Sequence, residues 1–123
     1  MLRPLFLSSL AFLAAVSALA NTALKPEPRD PNWVKRHDGF VQIAKQGGVD
    51  VLFVGDSITD GWRRLERGGG KATWDREFAP LKSANFGISG DRTQHVLWRL
   101  ENGELDGFKP KAIVLMIGTN NTG

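Results

Sequence analysis

The sequence contains no cysteine, which excludes disulfide bonds and thiolate metal ligands from any account of its stability or chemistry. It has no internal repeat and no basic stripe, because its 16 Lys and Arg are scattered among 13 Asp and Glu. That distribution argues against a nucleic-acid partner. Hydrophobic residues make up 41% and charged residues 24% of the 123-residue chain, which predicts one globular domain rather than a disordered chain.

A phosphate-binding loop is also missing. The triple glycine at residues 68–70 is not followed by Gly-Lys-Ser/Thr and no predicted strand precedes it, so a plain loop is the better interpretation. A regulatory domain that binds a nucleotide or a phosphate is therefore a remote alternative.

The first 20 residues have the pattern of a secretory signal. Arg3 precedes an apolar run over residues 5–16, which is too short to span a bilayer comfortably, and Ala18-Leu19-Ala20 matches a small-residue cleavage site. We expect cleavage after Ala20 and export to the periplasm or the cell exterior, with no membrane span remaining; a retained N-terminal anchor is the alternative. Residues 21–31 contain three prolines and predict an extended linker, which leaves residues 32–123 for the domain.

Helix and strand patterns alternate along that domain. Asp30-Pro31 is typical of a helix start, and apolar residues recur at helical spacing until Gly47-Gly48. Nearly continuous apolar runs over residues 49–54 and 111–118 predict strands of the kind buried on both faces. The other predicted elements are a weak helix around residues 60–66, a second helical segment through residues 74–81, a short strand ending at Gly87, and a helix with Asp91 as its N-cap.

This order of elements is typical of a doubly wound α/β domain, in which ligands bind at the carboxyl ends of parallel strands. Each predicted strand is followed by a short stretch of glycine and polar residues, and these stretches contain Ser57, Gly90 and Asn120. We expect these three positions to meet at one edge of the sheet.

By residue type alone, Ser57 is more often a helix cap than a nucleophile. The functional interpretation gains weight because the other strand ends carry groups that acyl transfer needs. Backbone N–H donors of Ser57 and Gly90, with the side-chain amide of Asn120, could form an oxyanion hole, in which each donor contributes about 3–4 kcal/mol. Asp56 is predicted to support the turn through hydrogen bonds rather than to act as a triad acid.

At these positions the sequence resembles the SGNH, or GDSL, hydrolase family. Gly55-Asp56-Ser57-Ile58 is similar to the nucleophile block, NFGISGD at 85–91 to the glycine block, and Gly118-Thr119-Asn120-Asn121 to the asparagine block. The stretch GDRTQHVLWRLENGEL at 90–105 is similar to the branch of platelet-activating-factor acetylhydrolase catalytic subunits.

The resemblance implies a flavodoxin-like, three-layer α/β/α fold with five strands in the order 2-1-3-4-5, of which this chain holds the first three. It implies an esterase with Ser57 as nucleophile, Gly90 and Asn120 completing the oxyanion hole, and neither a metal nor an organic cofactor. The branch favours short acyl groups, acetyl above all, on a lipid or carbohydrate.

The family's fourth block, Asp-x-x-His, supplies the base for the serine and the acid that orients that base, and residues 1–123 do not contain it. Without a base, a serine hydroxyl is a weak nucleophile. His37 is predicted to be solvated, and His95 to have a structural or substrate-side role. We expect the 123-residue chain alone to be inactive; a non-catalytic binding module or an inactive remnant is the alternative.

Overall fold

The computed structural model describes residues 21–122. Its first helix, α1, spans Pro31–Gln46, as predicted. The Asp30 carboxylate caps this helix by accepting hydrogen bonds from the backbone N–H groups of Asn32 and Trp33. Gly47 ends the helix with a φ of 71°. The buried face of α1 consists of Trp33, His37, Phe40 and Ala44.

Three parallel strands form one sheet in the order β2-β1-β3. Their bounds are Val51–Gly55 for β1, Ser83–Gly87 for β2 and Ala112–Met116 for β3. The central strand pairs along its whole length, with Gly55 opposite Gly87 on one side and Met116 on the other. The carboxyl ends of the strands therefore lie at one edge, and the α/β class with a flavodoxin-like 2-1-3 order is confirmed.

Helices cover both faces of the sheet. Leu52 and Val54 of β1 belong to a core that α1 and the helix α4, Thr93–Arg99, help to form. Phe53 points to the opposite face, where it packs edge-on against Trp74 and Phe78. The alternation follows from the two-residue period of a strand, and the result is a layered α/β/α arrangement.

The remaining helical segments are short. Helix α2 spans Ser57–Asp60 and continues into a 3-10 turn, so the weak helix predicted around residues 60–66 begins earlier. The second predicted segment is a run of mixed turns, which starts with helix α3 at Lys71–Thr73. Its other parts are a π-helical turn at Trp74–Phe78 and a 3-10 turn at Ala79–Leu81. After α4, a π-helical segment spans Leu100–Glu104.

Strand β3 differs from its prediction as a buried strand. Ile113, Val114, Leu115 and Met116 are 43–58% exposed. Within residues 21–122, β3 pairs with β1 alone, and little packs on its faces. Its apolar composition is typical of a strand that is covered on both faces. With exposed side chains and one partner strand, β3 is an uncovered edge in this part of the chain.

The residues before α1 are held against the domain. The Thr93 hydroxyl donates to the carbonyl oxygen of Ala23 at 2.8 Å, and the N–H of Glu27 donates to that of Gln94 at 3.3 Å. The segment predicted as a linker thus packs on the start of α4, and the domain boundary at residue 32 stays a prediction.

The predicted signal at residues 1–20 lies outside the described residues. Between residues 21 and 122, no helix combines the length and the apolar character needed to cross a membrane.

Candidate active site

Ser57 lies at the carboxyl end of β1 and is the first residue of α2. The preceding residue, Asp56, is the N-cap of that helix: its carboxylate accepts a hydrogen bond of 3.0 Å from the N–H of Ile58. Asp56 is only 1% exposed. Asp56 therefore takes the capping role that a serine often has, and Ser57 does not. The hydrogen bond from Ile58 is of the kind predicted for Asp56 as a support of the turn.

Two glycines let α2 rest directly on the strand ends. A Cβ at Gly55 would collide with Thr59 Oγ1 and with the carbonyl oxygen of Met116, and a Cβ at Gly87 would collide with the backbone N of Asp60. Because the two positions have no side chain, the first turn of α2 sits against β1 and β2. This contact fixes Ser57 relative to the loop that follows β2.

That loop carries the glycine block. The N–H of Ile88 donates to the Gly55 carbonyl oxygen at 3.1 Å, and the N–H of Asp91 donates to the Ile88 carbonyl oxygen at 3.2 Å. Gly90 between them has a φ of 83°, a left-handed conformation that strains any residue with a Cβ. In the part of the chain that the structure describes, the Gly90 N–H has no hydrogen-bond acceptor, which leaves it free for a ligand.

The asparagine block forms a 3-10 turn at Thr119–Asn121 after β3. Asn120 Nδ2 donates to the carbonyl oxygen of Asp91 at 2.8 Å, which uses one of its two hydrogens. Asn121 accepts from the N–H of Thr93 at 2.9 Å and so satisfies a free donor at the start of α4. The predicted residues Gly90 and Asn120 are thus brought together beside Asp91.

Asp91 itself does not cap α4, and this prediction is wrong. The N-cap is Arg92, whose backbone N–H donates to His95 Nδ1 at 2.9 Å. The Asp91 carboxylate is fully buried instead. It accepts hydrogen bonds from Trp33 Nε1 at 2.7 Å and from Arg29 Nη1 at 3.0 Å. Donors from a distant part of the chain hold it inside, and no local pattern announces them.

A buried ion-pair network extends from Asp91. Arg99 Nε lies 3.1 Å from Asp91 Oδ2, and Arg99 Nη1 lies 3.0 Å from Glu104 Oε2 and donates to the Phe86 carbonyl oxygen at 2.8 Å. Glu104 Oε1 lies 2.9 Å from His37 Nδ1. Burial raises the pKa of Glu104, and its contacts with Arg99 and His37 offset only part of that effect.

His37 is therefore not the solvated side chain that its charged neighbours predict, since it is 4% exposed. The missed signal is helical spacing, because His37 follows Trp33 by four residues on the apolar face of α1. His95 is engaged as well: burial lowers its pKa, and Nδ1 accepts the Arg92 N–H. That contact agrees with a structural role for His95.

A second carboxylate, Asp60, holds the other side of the glycine block. It accepts hydrogen bonds from the backbone N–H of Ser89 at 3.1 Å and from its hydroxyl at 2.7 Å. Arg36 binds it in a bidentate manner at 2.9 and 3.1 Å, and Arg63 lies 2.5 Å away. Burial by itself raises the pKa of Asp60, but the hydrogen bonds from Arg36 and Ser89 and both guanidinium charges hold that pKa well below its usual value.

A groove of about 560 Å³ opens beside Ser57. Ile58 and Trp62 supply apolar surface, and the glycine loop at residues 68–70 also lines the groove. The loop is closed by a hydrogen bond of 3.1 Å from the N–H of Gly70 to the Gly61 carbonyl oxygen. Ser57 therefore lines a space large enough for part of a small ligand.

A parallel sheet with polar loops at its carboxyl edge defines an α/β protein of the class that binds ligands there. Comparison with protein families is more specific. Residues 53–123 match the model of the GDSL-like lipase/acylhydrolase family, and the chain belongs to that family.

Curated relatives agree with this assignment. The chain is 49% identical over 92 residues to human platelet-activating factor acetylhydrolase IB subunit alpha2, an alignment that covers 75% of this chain and 38% of that protein. It is 43% identical over 113 residues to the human subunit alpha1, covering 88% of this chain and 46% of that protein. The bovine subunit alpha1 is 44% identical over 108 residues, with 84% and 44% covered. The chain thus spans less than half the length of these relatives.

The predicted export of the chain, with cleavage after Ala20, is contradicted by this comparison. The relatives are subunits of platelet-activating factor acetylhydrolase IB, which are intracellular. Residues 1–20, from which export was predicted, lie outside the described part of the chain, and the structure gives no support for a signal there.

Proposed function

We propose that this chain supplies the nucleophile and the oxyanion hole of a serine ester hydrolase. The observation that carries the proposal is the link between Asn120 Nδ2 and the carbonyl oxygen of Asp91. That link brings the side-chain amide next to Gly90, whose N–H has no acceptor among residues 21–122, at the sheet edge where Ser57 follows β1.

In the proposed reaction, Ser57 Oγ attacks the carbonyl carbon of an ester, and a base takes the hydroxyl proton. The carbonyl oxygen becomes an oxyanion that accepts hydrogen bonds from the N–H groups of Ser57 and Gly90 and from the second Nδ2 hydrogen of Asn120. Collapse of the tetrahedral intermediate expels the alcohol, which takes up a proton. Water then hydrolyses the acyl-serine by the same steps.

The base is expected from the family's Asp-x-x-His block, which residues 1–123 do not contain. Both histidines of the chain are engaged elsewhere, His37 with Glu104 and His95 with the Arg92 N–H. This observation favours the second candidate function for the 123-residue chain alone, a non-catalytic module that binds ligands at the same edge. Activity is therefore proposed for a protein that combines these residues with that block.

We propose short acyl esters as the substrate class, with acetyl esters of a lipid or carbohydrate alcohol favoured. The relatives are platelet-activating factor acetylhydrolase IB subunits, and that name supports the acetyl group. The groove beside Ser57, with apolar surface from Ile58 and Trp62, is the proposed site for the acyl or alcohol portion.

The test replaces Ser57 with Ala in the whole protein and measures hydrolysis of p-nitrophenyl acetate. We expect turnover to be abolished in Ser57→Ala and retained in Ser83→Ala, a matched control at the amino end of β2. Turnover of Ser57→Ala at the wild-type rate would exclude Ser57 as the nucleophile.

The oxyanion hole has its own test. We expect Asn120→Ala to lower kcat by roughly 100-fold to 1,000-fold with little change in KM, because the donor acts on the transition state. Asn102→Ala is the matched control, since Asn102 also donates to a backbone carbonyl, that of Trp98 at 2.7 Å. An effect confined to KM would assign Asn120 to ground-state binding instead.

A further inference from the structure

Two carboxylates hold the backbone on either side of Gly90. Asp60 comes from α2, and Asp91 belongs to the loop itself but is fixed by donors outside it. Before Gly90, the N–H and the hydroxyl of Ser89 both donate to Asp60, at 3.1 and 2.7 Å. After Gly90, the Asp91 carboxylate is fixed by Trp33 Nε1 and Arg29 Nη1. Gly90 thus lies between two anchored residues.

The anchors are themselves rigidly held. Asp60 is bound by both Arg36 and Arg63, which come from α1 and from the turn after α2. Arg29 links Asp91 to the residue that Asp60 holds, because its Nη1 donates to the Ser89 carbonyl oxygen at 2.9 Å as well as to Asp91. Side chains with several short contacts have little freedom to move, and they transmit that rigidity to the loop.

The free donors stand in contrast to these anchored groups. In the loop from Ile88 to Asp91, as the structure describes it, the backbone N–H groups donate hydrogen bonds to Asp60 or to backbone carbonyls, except that of Gly90. Asn120 Nδ2 is aimed by its contact with the Asp91 carbonyl oxygen. Both proposed oxyanion donors therefore depend on the position of Asp91, and one depends on Asp60 as well.

We propose that Asp60 and Asp91 are positioning residues, which hold the Gly90 and Asn120 amides at the points where they receive the oxyanion. This inference rests on the proposed function, and it assigns neither carboxylate a direct contact with substrate. Displacing a reacting or stabilising group by about 1 Å lowers rates by roughly 100-fold. Loss of either anchor is therefore expected to act on kcat.

The experiment uses the whole protein with Asp60→Asn, Asp91→Asn and the control Asp50→Asn. Asp50 is ion-paired with Lys111 at 3.0 Å, and it lies at the opposite, amino end of β1. Turnover is divided by the number of competent serines, counted by titration with a fluorophosphonate, so that a misfolded fraction does not contribute. We expect kcat to fall by about 10-fold to 100-fold in Asp60→Asn and Asp91→Asn with KM within about 3-fold of wild type.

A second readout does not need catalysis. The backbone order parameter of Gly90, measured by ¹⁵N relaxation, is expected to be near ~0.85 in the wild type and in Asp50→Asn, and clearly lower in both anchor variants. If Asp91→Asn fails to fold, Asp60→Asn alone decides between the outcomes.

Normalised kcat values within about 2-fold of wild type in the folded anchor variants would overturn the proposal, as would an effect on KM alone. If Ser57→Ala turns over substrate like the wild type, the proposed function fails, and the order parameter still decides whether the two carboxylates position Gly90. An unchanged order parameter in that case overturns the positioning role too.

Discussion

Replacing Trp33 with Phe removes one hydrogen bond from a fully buried carboxylate and leaves an aromatic ring in the core. Trp33 is 3% exposed and its Nε1 donates to Asp91 Oδ1 at 2.7 Å. A hydrogen bond to a charged group contributes about 1.5–3 kcal/mol to stability. The smaller ring also loses packing, on the order of 1 kcal/mol.

Trp98→Phe is the matched control. Trp98 packs against Trp33, with ring centroids 5.4 Å apart, and in the described part of the chain its indole N–H donates to no acceptor. Because both variants lose the same ring atoms, the excess loss in Trp33→Phe measures mainly the hydrogen bond to Asp91. We expect Trp33→Phe to be less stable than Trp98→Phe by about 1.5–3 kcal/mol.

The assay is urea unfolding followed by far-UV circular dichroism, with the m-values compared to confirm that both variants unfold alike. Trp98 is only half-buried, so its packing loss is smaller and a difference below about 1 kcal/mol is assigned to packing. Free energies of unfolding that agree within about 1 kcal/mol would therefore refute the role of Trp33 in holding Asp91.

Three further outcomes follow from the fold. Gly87→Ala should destabilise the protein by about 2 kcal/mol or more, because the added Cβ collides with the backbone of α2. Gly39→Ala, whose Cβ meets nothing within 4 Å, should be neutral or stabilising by up to about 1 kcal/mol, and thermal unfolding measures both changes. The folded-state pKa of Asp60 lies below its unfolded value of 3.8, so the stability it contributes is full above that pH and is lost as the pH falls through the folded pKa. The difference in Tm between wild type and Asp60→Asn should be constant between about pH 5 and 8 and shrink below about pH 4. A difference in Tm that instead grows in acid would contradict this sign. Residues 21–123 expressed alone should associate through β3 and show no serine-dependent esterase activity, because four apolar side chains of that strand are 43–58% exposed; a soluble, active monomer in size-exclusion chromatography would contradict this expectation.

Local patterns predict much of the architecture. The cap at Asp30, the stop at Gly47 and the run of β-branched and apolar residues in β1 are signals within a few residues of the elements they define. Three parallel strands then bring Ser57 and Gly90 to one edge, because carboxyl ends of parallel strands meet. The candidate site could therefore be assembled from the sequence as a set of positions.

The contacts that hold those positions could not be predicted, because they join distant residues. Asp91 sits next to a helix start and is a reasonable cap locally, yet its donors lie about 60 residues away on the other side of the core. His37 has charged neighbours in sequence, but the helix turns it inward to Glu104. Residue type sets what such groups can bind, and only the tertiary fold decides which partner is present.

Covalent labelling tests the central claim, the assignment of Ser57 as nucleophile, most directly. The whole protein is treated with a fluorophosphonate and digested with trypsin, which releases residues 46–63 as a peptide whose only serine is Ser57. We expect the adduct on this peptide at Ser57, present in Ser83→Ala and absent in Ser57→Ala. An adduct on a different serine, or labelling of Ser57→Ala equal to that of the wild type, would contradict the assignment.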